Sequence, residues 1–163
     1  MNELSSHLVQ IRSAFEGPAW HGPALLEALD GVTPHVAKRR WVDGAHTIWE
    51  IALHTVAWKR TVVKFLDGAE KIVVEEDENF PRPEAGDEAE WGHVLNELKI
   101  AQAEFLATVS RFGNARLYET PKGREWTYNT WIFGVVHHDL YHAGQIMLLR
   151  KAAEAEIQGS RVK

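Results

Sequence analysis

Three histidines are the residues of this 163-residue chain whose types and spacing are best suited to chemistry. His138 and His142 are four positions apart, and such positions lie on the same face of an α-helix. His54 lies far earlier in the chain, within another stretch of helical periodicity. If the two helices pack side by side, three imidazoles can bind one divalent metal ion and leave a coordination position open, as in catalytic sites.

A site of this kind supports two kinds of reaction. Three neutral imidazoles leave a divalent cation its full charge for Lewis-acid chemistry. A water in the open position would become a hydroxide nucleophile near neutral pH, whereas a thiol there would lose its proton outright. Imidazoles suit zinc, nickel, iron and copper alike, so the spacing predicts a divalent metal without selecting which one.

The elements that must position these histidines are helices. Apolar residues recur with a helical period in four long segments, at about residues 4–15, 47–66, 87–112 and 127–153. The last ten residues are expected to fray. A punctuated stretch over residues 21–44 is expected to be a long crossover with one or two short helices. The pattern predicts an all-α fold, a four-helix bundle with a long crossover between the first and second long helices.

Each of the two histidine-bearing helices has a stripe of mainly apolar residues. The stripe on the second long helix is Thr47, Glu50, Ile51, His54, Trp58, Thr61 and Phe65. The stripe on the fourth is Trp131, Val135, His138, His142, Gln145 and Leu149. Both should face the core, where a histidine needs either a hydrogen-bond partner or a metal. Separately hydrogen-bonded histidines, or a pair on the surface, are the alternatives.

Two neighbours of the histidines are candidate catalytic residues. Glu50 lies one turn before His54 and would cap the helix with Thr47, support a metal ligand through a hydrogen bond, or serve as a general base near the metal. Gln145 would either orient a bound water or substrate, or bond within the core. Asp139 is expected at the surface, because it is rotated away from the metal-facing side of the helix.

A second set of candidates lies in the expected crossover. Trp20 and His21 precede a Gly-Pro turn. Loops at the end of a bundle often carry binding residues. The two side chains are therefore candidates for lining the mouth of a binding pocket, and packing within the turn is the simpler alternative.

Composition limits the partners and the metal ligands. The formal net charge of −5 argues against a general nucleic-acid binder. No signal-peptide core and no apolar run of about 20 residues is found, so a cytoplasmic protein with a small-molecule substrate and no membrane partner is expected. The chain has no cysteine, so any metal must be bound by His, Asp, Glu or water. The acidic segment from Glu75 to Glu90 is expected to be a solvated loop.

The chain resembles the DinB/YfiT-like superfamily of metal-dependent enzymes in three places. These are AWHGPALLEALDG at residues 19–31, TIWEIALHTVAWKR around His54, and HHDLYHAGQIMLLR around His138 and His142. The resemblance implies one four-helix-bundle domain over residues 1–163, with His54, His138 and His142 as metal ligands. The Gly144-Gln145 pair belongs to the same signature.

The resemblance also implies an activity. Several branches of this superfamily transfer or use low-molecular-weight thiols such as bacillithiol or mycothiol, so a thiol S-transferase-like enzyme with a small thiol as co-substrate is expected. Other members are called hydrolases or have no known activity, so a metal-dependent hydrolase and a non-catalytic metal-binding interaction module are the alternatives. Bundles of this kind often pair, which makes a homodimer the expected assembly.

Overall fold

Helices form all the regular structure in the computed structural model, which describes residues 3–70 and 74–161. These ranges contain no strand. The α-helices are α1 (Glu3–Glu16), α2 (Leu25–Leu29), α3 (Pro34–Lys38), α4 (Ile48–Leu66), α5 (Glu76–Asn79), α6 (Glu88–Phe112) and α7 (Tyr128–Arg161), with a 3-10 turn at Asn114–Arg116. The predicted all-α class is confirmed.

The long helices begin close to their predicted positions because side chains cap them. The Thr47 hydroxyl accepts a hydrogen bond from the Glu50 backbone N–H, and the Glu50 carboxylate accepts one from the Thr47 N–H at 2.8 Å. Asp87 caps α6 by accepting from the backbone N–H of Glu90 at 2.9 Å. Each bond satisfies a donor that the first turn of a helix leaves free.

The four long helices contact one another in a closed cycle. α4 packs against α6 and α7, and α1 packs against the same two helices. The segment between α1 and α4 contains two short helices, and α2 packs against α7 and α1. The members of both predicted apolar stripes are buried or half-buried, as expected for faces that point inward.

The last helix is longer than predicted. Residues 154–161, which were expected to fray, continue α7 as far as Arg161. Glu154, Ala155 and Glu156 favour helix, and Glu156 forms an ion pair with Arg39. Residues 162–163 lie outside the described ranges. None of the described helices is both long and apolar enough to cross a membrane.

The acidic segment is more ordered than the predicted loop. It contains the single turn of α5, and its last residues open α6. The Glu90 carboxylate accepts backbone N–H groups from Glu84, Ala85 and Gly86, which folds the segment back onto the start of α6. The segment also packs on α4 through α5, so part of it forms a wall over that helix.

A buried ion pair joins the long helices at the centre of the molecule. Lys59 on α4 lies 2.5 Å, Nζ to Oδ2, from Asp139 on α7, and its ammonium also donates to Gln102 Oε1 on α6 at 3.0 Å. The same ammonium lies 5.0 Å from the centre of the Phe15 ring on α1. Burial lowers the pKa of Lys59 and raises the pKa of Asp139. The prediction that Asp139 is at the surface is wrong, because Lys59 supplies a partner inside the core.

Candidate metal centre

The imidazoles of His54, His138 and His142 converge between α4 and α7. His54 Nε2 lies 2.9 Å from His138 Nε2, and His142 Nε2 lies 3.1 Å from the same atom. One ring nitrogen of each residue lies within 4.8 Å of those of the other two. The structure therefore brings together the three side chains that the sequence singled out.

Hydrogen bonds on the far side of two rings direct their Nε2 lone pairs towards this point. His54 Nδ1 donates to the backbone oxygen of Asn79 at 2.6 Å. Because a carbonyl oxygen can only accept, His54 carries its proton on Nδ1 and its lone pair on Nε2. His142 Nδ1 donates to Gln145 Oε1 at 2.7 Å, which gives the same tautomer. Metal-binding histidines are usually held by such partners.

The spacing of the three Nε2 atoms is explained better by a bound metal than by hydrogen bonds among the rings. With lone pairs on the Nε2 atoms of His54 and His142, a proton on His138 Nε2 can be shared well with only one of them. The remaining contact of about 3 Å then has no hydrogen bond across it, so the lone pair of the second ring has no donor. Two nitrogens bound about 2.1 Å from one cation would lie roughly 3.0–3.4 Å apart, close to the observed distances. The donor set therefore suits a divalent cation.

All three histidines are held in the neutral form that binds metals. Burial, together with smaller contributions from the neighbouring histidines and Lys59, lowers the pKa of His138 to about 3. Burial also lowers the pKa of His142 to about 4, although its bond to Gln145 acts in the opposite direction. The pKa of His54 is lowered mainly by burial. At neutral pH the three side chains do not need to lose a proton before a metal binds.

Two residues of the site were missed in the sequence, and both come from the acidic segment. Asn79 accepts the His54 bond through its backbone, and its side-chain Oδ1 accepts from Trp58 Nε1 at 2.9 Å. The Phe80 ring stacks on His54 at 4.0 Å between centroids and on His46 at 3.6 Å. The available signal was an aromatic residue, Phe80, close behind the acidic run of residues 75–78, where a fully solvated loop has no need of it.

The Glu50 carboxylate is engaged in hydrogen bonds and ion pairs at the start of α4. Its carboxylate is only 4% exposed, accepts the Thr47 N–H and receives Arg40 Nη2 at 3.2 Å on both oxygens. His46 Nδ1 lies 3.5 Å from Oε2, and Arg82 Nε lies 3.8 Å from Oε1. The expected capping box is confirmed, while a catalytic role for Glu50 stays a prediction.

Gln145 contacts a candidate metal ligand, whereas Trp20 and His21 of the crossover are exposed. Gln145 is bonded to His142, so it orients a candidate ligand, and its expected contact with water or substrate stays a prediction. Trp20 is 97% exposed, and its ring lies edge-on to His21 with centroids 5.6 Å apart. Among the described residues, neither Trp20 nor His21 makes a ring contact with His54, His138 or His142. The place of Trp20 and His21 at a pocket mouth also stays a prediction.

Comparison with known proteins places this geometry in a family. The family model of the DinB superfamily matches residues 19–146, which include all three histidines and the residues that hold their Nδ1 atoms. No curated protein and no solved structure gives a significant match. Since the match covers well over half of the sequence, the chain belongs to the DinB superfamily.

Proposed function

We propose that this protein is a metal-dependent enzyme that joins a low-molecular-weight thiol to an electrophilic small molecule. His54, His138 and His142 would hold the metal. The observation that carries the proposal is the convergence of three neutral Nε2 atoms, two of them with their lone pairs directed inward by hydrogen bonds at Nδ1. Membership of the DinB superfamily supports it.

The chain's own residues would prepare the site for this reaction. A divalent cation held by neutral imidazoles would supply the charge that removes the proton from a thiol at neutral pH. Asn79 and Gln145 fix two of the rings, and Phe80 covers one face of His54 against water. The thiol sulfur forms a bond to the electrophilic carbon, the leaving group departs with its electron pair, and the thiol proton passes to solvent.

The surroundings of the site favour thiol transfer over hydrolysis. Hydrolysis with a metal-activated water benefits from a protein group that carries protons. Glu50 is the carboxylate the sequence offered for that task, and its oxygens already bind Thr47 and Arg40. Gln145 does not titrate. Transfer of a thiol to a carbon that carries a halide needs no proton for its leaving group, whereas hydrolysis of an ester or amide does, so the occupied state of Glu50 supports transfer.

An assay of thiol consumption tests the proposal. Protein without a His-tag would be loaded with zinc, nickel or iron in turn and mixed with a small thiol and monobromobimane, with release of bromide. We expect metal-dependent conjugation that His142→Ala abolishes and His137→Ala retains, since His137 is exposed on the same helix. Metal-dependent ester hydrolysis without conjugation would support a hydrolase instead. Inactivity of metal-loaded protein in both assays would support a non-catalytic metal-binding module.

The remaining expectations from the sequence form part of the same proposal. The closed cycle of contacts among α1, α4, α6 and α7 supports a four-helix bundle, with the segment that holds α2 and α3 as its crossover. We propose a cytoplasmic homodimer that acts on small molecules and has neither nucleic-acid nor membrane partners. Light scattering of the purified protein tests the dimer, and a monomeric mass would exclude it.

A further inference from the structure

An apolar cavity lies beside the candidate metal centre, on the side of His138. Its volume is about 240 Å³. The side chains that form most of its wall are Trp58, Trp126, Trp131, Val62, Val135 and His138. Among the residues that the structure describes, neither an acid nor a lysine or arginine lines it, so the cavity offers a hydrophobic surface that ends at one of the three candidate ligands.

The aromatic wall is tied to the same residue that orients His54. Trp58 Nε1 donates to Asn79 Oδ1 at 2.9 Å, while the backbone oxygen of Asn79 accepts from His54 Nδ1 at 2.6 Å. On another part of the wall, the rings of Trp126 and Trp131 meet edge to face with centroids 5.4 Å apart. A wall of indole rings favours a flat apolar guest, which can stack on one ring and meet the edge of another.

We propose that this cavity binds an uncharged apolar ring of the substrate and so selects aromatic or similarly flat electrophiles. The link to electrophiles rests on the proposed function, whereas binding of the ring rests on the cavity alone. An apolar cavity of about 150 Å³ is enough to hold benzene, so the observed volume accommodates one ring with substituents. An anionic group would have no cationic partner among the described residues of this wall and would lose its hydration, which excludes anionic moieties from the cavity.

Gly134 provides a variant that fills the cavity with little risk to the fold. It lines the cavity from α7, and a Cβ added to it meets no heavy atom within 4 Å. Leucine also favours helix more than glycine does. Gly134→Leu should therefore occupy the cavity. The matched control is Gly92→Leu in α6, where a Cβ is equally unobstructed and the residue does not line the cavity.

The first experiment compares two metal-binding probes that differ only in the ring. Acetohydroxamate and benzohydroxamate would be titrated into metal-loaded protein by calorimetry. We expect benzohydroxamate to bind about 10 to 100 times more tightly than acetohydroxamate to the wild type and to Gly92→Leu. In Gly134→Leu the two affinities should become similar. Equal affinities in the wild type, or a preference that Gly134→Leu leaves intact, would overturn the proposal.

The second experiment separates this proposal from the metal centre. Metal-free protein would be titrated with fluorobenzene and followed by ¹⁹F NMR. Saturable binding to the wild type and Gly92→Leu, lost in Gly134→Leu, would support the ring site even if the protein bound no metal. Absence of saturable binding in the wild type would refute the ring site while leaving the three-histidine centre standing.

Discussion

At the scale of single residues, the groups that accept hydrogen bonds from the Nδ1 atoms of His54 and His142 determine which nitrogen of each ring can bind a metal. The Asn79 carbonyl holds His54 and the Gln145 amide oxygen holds His142, so each ring presents an Nε2 lone pair to the centre. Without these acceptors the tautomer would be free to change, and the proton could occupy the nitrogen that must bind the metal.

Gln145→Leu tests this dependence. The substitution removes the acceptor at His142 Nδ1 while keeping a side chain of similar size on α7. We expect metal affinity, measured by competition with a chromophoric chelator, to fall about 10 to 100-fold. Gln158→Leu, at an exposed position of the same helix, is the control and should bind as the wild type does. An unchanged affinity in Gln145→Leu would show that the tautomer does not depend on this bond.

The lowered histidine pKa values predict that acid destabilises the metal-free protein. The pKa is about 4 for folded His142 and about 3 for folded His138, against 6.5 for an ordinary histidine. Between those values the unfolded chain binds more protons than the folded chain. Stability therefore falls as the pH drops from about 6.5 towards 4, by at most about 1.4 kcal/mol per pH unit for each histidine, and is unaffected by them at higher pH.

Urea denaturation at several pH values checks this slope. We expect the metal-free His142→Ala protein to lose less stability on acidification than the metal-free wild type, because one proton-excluding site is gone. His137→Ala removes an exposed imidazole from the same helix and serves as the control. If His142→Ala and the wild type share one slope, burial does not keep this histidine neutral.

At the scale of elements, the orientation of α7 against α4 matters as much as the spacing of its histidines. The buried bond between Lys59 and Asp139 spans these two helices, and Asp139 is adjacent in sequence to His138. Gln102 extends the contact to α6 and also donates through Nε2 to the Ile11 backbone of α1 at 3.2 Å. A polar group that can be satisfied in only one packing arrangement disfavours rotated arrangements of the helices.

Substitutions of the ion pair test its energetic role. Lys59→Met leaves the Asp139 carboxylate buried without its partner, and we expect a loss of about 3–5 kcal/mol in the free energy of unfolding. Lys59→Met combined with Asp139→Leu should recover at least about half of that loss, although Gln102 Oε1 stays unpaired. Chemical denaturation measures both variants. A double variant that is no more stable than Lys59→Met alone would show that the two charges do not act as a pair.

The parts of the site that were predictable from the sequence are those set by local periodicity. The four-residue spacing of His138 and His142, the Thr47–Glu50 capping box and the inward stripes depend only on the geometry of one helix. The same reasoning was wrong for Asp139. Lys59 and Asp139 each have the character of surface charges in their own helix, and only the packing of α4 against α7 makes them partners.

The contacts that the acidic segment makes with His54 also depend on tertiary packing, so the local sequence pattern did not predict them. Phe80 indicates that the segment packs against another element, but the sequence around it does not identify His54 as the partner, because that contact depends on how α5 sits over α4. The extension of α7 was readable in part from its helix-forming residues Glu154, Ala155 and Glu156, and the Glu156–Arg39 ion pair is the contact that the sequence does not show. For Asp139 and for the acidic segment, the missing information was a contact between distant residues.

At the scale of the whole molecule, the candidate ligands join two distant parts of the chain. His54 belongs to α4, while His138 and His142 belong to α7, and the two helices pack against each other only in the folded protein. A cation that binds all three should therefore bind the folded state far better than the unfolded chain, and metal binding becomes part of the folding free energy.

Thermal unfolding with and without metal tests this linkage. At a metal concentration one hundred times Kd, we expect stabilisation by about 2.7 kcal/mol, or a rise in Tm of roughly 5–10 °C for a domain of this size. His142→Ala should lose most of the rise and His137→Ala should keep it. The same rise in all three proteins would place the metal at another site.

The central claim is that one divalent cation is bound by the imidazoles of His54, His138 and His142. X-ray absorption spectroscopy of protein purified without a tag and loaded with one equivalent of metal tests it most directly, because the fine structure counts imidazole ligands around the absorbing ion. We predict three imidazole ligands in the wild type and in His137→Ala, and two in any His142→Ala protein that still retains metal. A bound metal with no imidazole scattering, or with the same imidazole count after His142→Ala, would contradict the account.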